Sequence, residues 1–152
     1  MVYGAAPNHG LQKLKLFDEQ LTPVCAPQLL AGQLPLQQLA DLEQHMLLHP
    51  TRDQHDWNTW LSAAGASLPR QGKGQHFETL DMAMSMASQG TGVAIGDWSL
   101  IGDDLKCGRL VTPFPLKVST GQAYYLVRPQ GSASAALQEL LAWLCEQAQV
   151  PQ

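Results

Sequence analysis

The sequence carries little charge and nowhere concentrates positive charge. Of its 152 residues, 14% are charged and 45% are hydrophobic, and the formal net charge is −4. The nine lysines and arginines stand singly along the chain, so no basic stripe could follow a phosphate backbone. The composition argues against a disordered chain and predicts one domain of ordinary size with a real core, which by itself should not bind DNA well.

Segments that mark other environments are missing as well. No apolar run approaches the roughly 20 residues of a membrane span, and no basic stretch followed by an apolar one opens the sequence as a secretory signal would. The three cysteines, Cys25, Cys107 and Cys145, lie far apart and form no Cys-x-x-Cys pair. Their spacing argues against a disulfide framework or a zinc site. These absences predict a cytoplasmic protein with no membrane partner.

Motifs of catalysis are also lacking. The sequence contains no Gly-x-Ser-x-Gly, no phosphate-binding loop and no His-Glu-x-x-His. Gly90-Thr91-Gly92 follows a predicted helix and precedes a predicted strand, which is the reverse of a dinucleotide fingerprint. His45, His49 and His55 match the spacing of no standard metal site. Because no nucleophile lies beside a general base, we expect neither an enzyme nor a bound metal or cofactor.

What the sequence does have is an alternation of strand and helix patterns. Extended or apolar runs predict strands at residues 16–17, 21–25, 46–48, 75–77, 93–95, 110–111 and 123–127. Helical spacing, proline and capping residues predict helices at residues 27–31, 36–44, 56–64, 79–90, 97–105 and 134–148. Residues 1–4 look like the end of a strand. Strands that alternate with helices predict an α/β fold with a mostly parallel sheet covered by helices.

A sheet of this kind also predicts where a ligand would bind. Ligands of open α/β sheets lie at the carboxyl ends of the strands, where helix N-termini point, and this rule nominates residues 49–51, 77–79 and 96–98. Thr79 is placed to cap the next helix, with Asp81 in its first turn. The free N–H groups there suit an anionic or carboxylate-bearing ligand. A plain N-cap without any ligand explains Thr79 equally well.

One stretch is distinctive enough to indicate a family. Phe77-Glu78-Thr79 is followed by Ala83 and then by Gly90-Thr91-Gly92-Val93-Ala94-Ile95. This order resembles the phenylalanine–acid, helix, Gly-x-Gly-Val-Ala-Leu pattern of the effector-binding domain of LysR-type transcriptional regulators. The subgroup with the regulators of glycine cleavage and β-lactamase induction is the most similar, and the chain departs from it at Ala26 and at Gly96-Asp97. Further segments resemble the family in the same order, at residues 21–27, 47–49, 56–61, 104–114 and 123–127.

The resemblance implies a periplasmic-binding-protein-like (type 2) fold, in which two α/β subdomains are joined by crossing strands and the effector lies in the cleft. On that template residues 1–20 are the tail of the first segment of subdomain I, and residues 21–119 are subdomain II with the crossing strands. Residues 120–152 return to subdomain I as one strand and the C-terminal helix. The template therefore implies a complete subdomain II, a partial subdomain I and a DNA-binding domain outside this chain.

The implied function is that of an effector-sensing domain of a bacterial transcriptional regulator, which binds a small anionic molecule. Two alternatives stay open: an oligomerisation module of the same regulator, and a solute-binding protein with no DNA role. Leu137, Leu140, Leu141 and Leu144 form one stripe of the last helix, which predicts a homodimer or higher oligomer. The residues predicted to contact the effector are Phe77, Glu78, Thr79, His49, Thr51, Asp97, Trp98 and Tyr124.

Overall fold

A computed structural model describes residues 1–4, 11–50, 53–67, 74–129, 131 and 134–149. The chain forms two compact units. The middle unit is Gln20–Val118, and the terminal unit combines Met1–Glu19 with Ser119–Gln152. Among the described residues, no helix is long and apolar enough to cross a membrane.

The described residues form six strands, four α-helices and two short 3-10 helices, and from Leu47 onward strands and α-helices alternate. The strands are β1 (Val2–Gly4), β2 (Leu11–Val24), β3 (Leu47–His49), β4 (Gly74–His76), β5 (Val93–Asp97) and β6 (Val118–Pro129). The helices are α1 (His55–Ala63), α2 (Leu80–Ser88), α3 (Gly102–Lys106) and α4 (Ala135–Gln149), and the 3-10 helices are Pro27–Leu30 and Leu39–Gln44.

The sheet of the middle unit is mixed in direction. Its strand order is β2–β5–β3–β4, and β3 runs parallel to both of its neighbours. The last residues of β2 are antiparallel to β5, with Leu21 opposite Asp97. The prediction of a mostly parallel sheet is therefore wrong for this strand, because a local apolar pattern does not reveal in which direction a neighbouring strand runs.

Apolar side chains cover both faces of this sheet. Leu47 belongs to one cluster with residues of α1, whereas Leu48 belongs to a second cluster with residues of α2. This follows from the alternation of successive side chains in a strand. Both clusters also take side chains from β5 and from the C-terminal end of β2. On the α1 side, the fully buried indole of Trp57 donates a hydrogen bond to the Leu48 carbonyl at 3.1 Å.

Helices with a clear apolar period form close to where the sequence predicts them. α1 and α4 each begin within one residue of the predicted start. α2 begins after Thr79, and Gly90 ends it with a φ of +79°, a conformation that glycine adopts without strain.

Two predicted helices and one predicted strand are much shorter than expected. The helix predicted at residues 36–44 is only the 3-10 turn Leu39–Gln44, and the one predicted from Asp97 begins at Gly102. Asp97 ends β5 instead, because its carboxylate accepts the N–H of Ser99 at 3.0 Å and holds a turn there. The strand predicted at residues 110–111 is reduced to a single bridge from Val111 to Cys25.

The terminal unit is built on antiparallel strands and one helix. Within it the strand order is β1–β6–β2. β1 pairs antiparallel with β6, with Tyr3 opposite Tyr124, so the prediction that residues 1–4 are extended is confirmed. Ser134 caps α4, because its hydroxyl oxygen accepts the N–H of Leu137 at 3.3 Å. Of the four leucines predicted to form one stripe, Leu140 is exposed and the other three are half-buried.

Candidate functional site

Three strand ends meet at one edge of the middle unit. Because β3 runs parallel to β4 and β5, their carboxyl ends lie at the same edge of the sheet. The last residues of these strands are His49, His76 and Asp97. The segments nominated from the sequence therefore come together as far as the structure describes them. Thr51 lies outside the described residues.

The Phe77–Thr79 junction connects β4 to α2 at this edge. The Phe77 N–H donates to the His49 carbonyl oxygen at 2.9 Å, so the chain leaves the sheet at a defined point. The Phe77 ring is half-buried and packs against the cluster on the α2 side. Glu78 and Thr79 are exposed. The junction thus joins an apolar anchor to two solvent-accessible polar residues.

Thr79 is the N-cap of α2. Its hydroxyl oxygen accepts the N–H of Met82 at 3.3 Å, which satisfies one of the N–H groups that a helix start leaves without an intrahelical acceptor. The N–H groups of Leu80 and Asp81 lie in the same first turn. These donors and the positive end of the helix dipole favour a negatively charged group at this point.

Asp97 and Trp98 have structural partners at the end of β5. The Asp97 side chain is only 3% exposed, and its Oδ1 accepts the N–H groups of Gln20 at 3.2 Å and of Ser99 at 3.0 Å. The Trp98 N–H donates to the Gln20 carbonyl at 2.8 Å. Asp97 therefore shapes the turn at the edge, where its buried carboxylate already accepts backbone donors.

Lys117 is a positive group that the sequence-derived candidates did not include. Its ammonium nitrogen lies 3.0 Å from the centre of the Trp98 ring, a geometry in which the aromatic face attracts the cation. Among the described residues no carboxylate forms an ion pair with Lys117. Nothing in the local sequence connects a lysine just before β6 with a tryptophan just after β5, so only the tertiary structure reveals the pair.

His49 is buried on the other face of the sheet. Because Leu47 points to the α1 side, so does His49, two residues further along β3. Its ring is fully buried and stacks on His76 with 4.8 Å between centroids. Burial, and secondarily the charge of His76, lower the pKa of His49 from 6.5 to about 4. At neutral pH the ring is therefore uncharged, and only the main chain of His49 reaches the Phe77–Thr79 junction.

Tyr124 belongs to the terminal unit, where its ring makes tilted contacts with two other aromatic rings. Its ring centroid lies 5.1 Å from that of Tyr3 and 4.7 Å from that of Phe17. Glu19 of the same unit is a buried carboxylate that no sequence motif indicated. It accepts hydrogen bonds from the hydroxyls of Tyr3 at 2.8 Å and Thr120 at 2.5 Å.

A groove of about 320 Å³ lies beside α2 on the side of α3. Its lining includes Asp81 and Ser85 of α2 together with Asp104 and Arg109. Arg109 forms an ion pair with Asp104, with 2.6 Å between its Nε and the carboxylate oxygen. Among the described residues no group of three or more histidines, cysteines and acids is arranged to hold a metal ion.

Comparison with known proteins identifies the family. The sequence pattern of the LysR substrate binding domain matches residues 1–149. The chain belongs to the LysR substrate-binding domain family. The glycine cleavage system transcriptional activator of Escherichia coli (strain K12) is 36% identical over 125 residues, which are 82% of this chain and 41% of that protein. The transcriptional activator AmpR of Pseudomonas aeruginosa is 36% identical over 153 residues, 97% of this chain and 49% of that protein.

Solved structures of this LysR family share the fold. The effector domain of AmpR from P. aeruginosa superposes with a TM-score of 0.76 at 34% identity, over 97% of this chain and 70% of that chain. The AmpR effector-binding domain of Citrobacter freundii gives a TM-score of 0.79 at 24% identity, over 98% of this chain and 73% of that chain. The fold is thus the periplasmic-binding-protein-like (type 2) α/β fold, and the predicted family is confirmed.

This LysR domain spans less than half the length of the two curated relatives, 41% and 49%. Both relatives are named as transcriptional activators and neither as an enzyme. The resemblance to the regulators of glycine cleavage and of the AmpR group, first indicated by residues 77–95, therefore extends over most of the chain.

Proposed function

We propose that this chain is the effector-sensing part of a cytoplasmic LysR-type transcriptional regulator, and that a small carboxylate-bearing molecule binds at the Phe77–Thr79 junction. In this proposal DNA is contacted by a different domain of the regulator. Residues 21–119 correspond to subdomain II, and residues 1–20 and 120–152 to parts of subdomain I. The observation that carries the proposal is the exposed, Thr79-capped N-terminus of α2 at the edge where three parallel strands end.

Two positive features at this edge support an anionic ligand. The first turn of α2 offers N–H donors and the positive end of the helix dipole. Lys117 supplies a full charge over Trp98, beyond the end of β5. Strand spacing of about 4.8 Å places the ends of β4 and β5, with β3 between them, roughly 10 Å apart. A small molecule with one carboxylate could reach the helix start, and a longer one could approach both features.

The other predicted residues take different roles in this proposal. Phe77 and Trp98 provide apolar walls, and exposed Glu78 lies at the rim, where it would favour an amino group on the ligand. Asp97 shapes the edge through its backbone hydrogen bonds. His49 acts through its carbonyl, which positions Phe77. Thr51 and Tyr124 stay predictions from the sequence.

The proposal can be tested with simple carboxylates as probes. Glycine, acetate, succinate and glutamate are titrated against the chain, with acetamide as the uncharged counterpart of acetate. A bound ligand at 100 times its Kd stabilises the folded chain by about 2.7 kcal/mol, which raises the melting temperature. We also expect shifts of the backbone amide resonances of Leu80 and Asp81. If no carboxylate raises the melting temperature or shifts these amide resonances, the proposed ligand class is wrong.

A matched pair of variants locates the site. Thr79→Val removes the capping hydroxyl, and Thr91→Val makes the same change at another exposed threonine. We expect Thr79→Val to weaken carboxylate binding at least tenfold and Thr91→Val to leave it unchanged. The comparison uses the increase in melting temperature caused by the ligand, because loss of the cap alone destabilises α2. Equal binding by both variants would place the site elsewhere.

A second function, self-association, is favoured by the surface of α4. Leu140 is 50% exposed and Trp143 is 54% exposed, and the two lie three residues apart on the same side of the helix. Large apolar side chains grouped in this way are typical of interaction surfaces. We propose that α4 contributes to a homodimer or higher oligomer, which is compatible with effector sensing in the middle unit.

A further inference from the structure

The strand that carries the Phe77–Thr79 junction is the most weakly held strand of the middle unit. β4 has only three residues and lies at the outer end of the strand order, with β3 as its sheet neighbour among the described residues. A short outer strand has few hydrogen bonds to hold it and opens at low free-energy cost. Side-chain contacts with β3 therefore contribute to holding β4 and the junction in place, together with the packing of the Phe77 ring.

One side chain, His49, contacts both ends of β4. Its ring stacks on His76 at the end of the strand, with 22° between the ring planes. A Cβ atom on Gly74, at the start of the strand, would lie only 2.1 Å from His49 Nε2. Since real Cβ atoms never approach so closely, the ring fits only because residue 74 is glycine. The His49 ring thus covers the whole length of β4.

The surroundings of this ring oppose a positive charge. The ring is fully buried, and neither nitrogen has a hydrogen-bond partner among the described residues. A buried charge without such partners is strongly destabilising. The His76 ring is stacked on it and adds to burial in lowering the pKa of His49. The other titratable side chains on adjoining segments are His45 before β3, Asp97 at the end of β5, and Asp53, His55 and Asp56 at the start of α1.

We propose that the His49–His76 stack is a latch on β4 that releases in acid and thereby loosens the Phe77–Thr79 junction. With β4 in place, the histidine at position 49 stays neutral and the two rings can stack. Once β4 moves away, the buried His49 ring reaches water and can take up a proton. The latch itself is a property of the fold, whereas its effect on effector binding rests on the function proposed above.

The direction of the pH effect follows from proton binding. The pKa of His49 is about 4 with the latch closed and returns toward 6.5 when the ring is exposed. The open form therefore binds more protons between these values, and the opening equilibrium rises as the pH falls from 6.5 toward 4. Allowing for screening by solvent at an outer strand, we expect the population of the open form to rise about tenfold between pH 7 and pH 5.

Hydrogen exchange of the chain without ligand tests the latch directly. The Phe77 amide is bonded to the His49 carbonyl and reports opening of β4, and the Val93 amide, bonded to the Met46 carbonyl, serves as the reference in the core. We expect the protection factor of the Phe77 amide to fall about tenfold from pH 7 to pH 5, and that of Val93 to change much less. Equal protection of the Phe77 amide at both pH values would overturn the proposal.

Two variants separate the latch from general acid sensitivity. His49→Phe keeps an aromatic ring but cannot take up a proton, so it should abolish the pH-dependent loss of Phe77 protection. His55→Gln removes an exposed histidine from neighbouring α1 and should preserve that loss. If His49→Phe retains the loss, the latch is disproved.

A titration of the unmodified chain covers the case in which His49→Phe fails to fold. The ring protons of His49 should show no titration above pH 5, and a midpoint near 6.5 would refute the proposal. Neither measurement uses a ligand. A failure of the latch is therefore distinct from a failure of the proposed effector site, which the carboxylate titrations at pH 7 detect separately.

Discussion

In the middle unit the indole rings of Trp57 and Trp60 are fully buried, whereas in the terminal unit Trp143 is 54% exposed. The same contrast holds for other apolar side chains. Among the described residues, every buried hydrophobic side chain except Ala123 lies in the middle unit. Burial of apolar surface is the dominant favourable contribution to folding. The buried core therefore stabilises the fold of the middle unit.

The terminal unit buries less apolar surface and contains a cluster of directional contacts. The Tyr124 ring makes tilted contacts with the rings of Tyr3 and Phe17, and buried Glu19 accepts two hydroxyl hydrogen bonds. Such contacts orient strands well, but a hydrogen bond adds only about 1 kcal/mol of net stability. We therefore expect the candidate effector site to lie on the more stable unit and the candidate interaction surface on the less stable one.

The largest expected effect comes from a matched pair of tryptophan substitutions. Trp57→Ala leaves a cavity in the core and the Leu48 carbonyl without its indole donor, so the middle unit should lose about 3–5 kcal/mol of unfolding free energy. Trp143→Ala removes a half-exposed ring and should cost under about 1 kcal/mol. Urea denaturation followed by circular dichroism measures both. Similar losses in the two variants would contradict the contrast between the units.

Acid should weaken the middle unit through His49. The pKa of His49 is lowered to about 4 in the folded chain, so the unfolded chain binds the extra proton first as the pH falls below 6.5. After allowance for solvent screening, the unfolding free energy should fall by about 2 kcal/mol between pH 7 and pH 4. In the His49→Phe variant we expect the fall in unfolding free energy over this pH range to be smaller than in the unmodified chain by about 2 kcal/mol. Urea titrations of both chains at pH 7 and pH 4 measure the unfolding free energies. Equal falls in the unmodified chain and in His49→Phe would exclude His49 as the cause.

Self-association should depend on α4 and not on exposed apolar residues in general. The double variant Leu140→Ser, Trp143→Ser removes apolar side chains that would become buried in an oligomer, and we expect the dissociation constant to rise about tenfold or more. Leu34→Ser is the matched control, since Leu34 is 52% exposed but lies in the middle unit. Light scattering after size exclusion at micromolar concentration gives the mass. An unmodified chain that runs as a monomer would refute self-association.

The smallest expected effect compares the helix caps of the two units. Thr79→Ala and Ser134→Ala each remove a hydroxyl that accepts a first-turn N–H, at 3.3 Å in both helices. Loss of either cap should cost about 1 kcal/mol. In α2 the loss should lower the unfolding free energy of the packed middle unit, whereas in α4 it should appear mainly as faster amide exchange in the first turn. If Ser134→Ala lowered the unfolding free energy and Thr79→Ala only sped up amide exchange in the first turn, α4 would belong to the more cooperative unit.

Local patterns in the sequence were sufficient for the family, for most elements and for the cap of α2. The apolar spacing of α1 and α2 depends on residues three and four apart, and the Thr79 cap depends on contacts within one turn. These features do not need distant parts of the chain. For the same reason residues 77–95 indicated the LysR family before the fold was known.

Contacts between distant residues were decided only by the tertiary structure. The antiparallel pairing of β2 with β5, the position of Lys117 over Trp98 and the packing of His49 between Gly74 and His76 each join residues far apart in sequence. A residue's type and its near neighbours carry no information about such partners, because the partners are selected by how strands and helices pack. His49 illustrates the limit: its place at a strand end was readable from the sequence, but its burial and its stacking on His76 follow from strand register and sheet face.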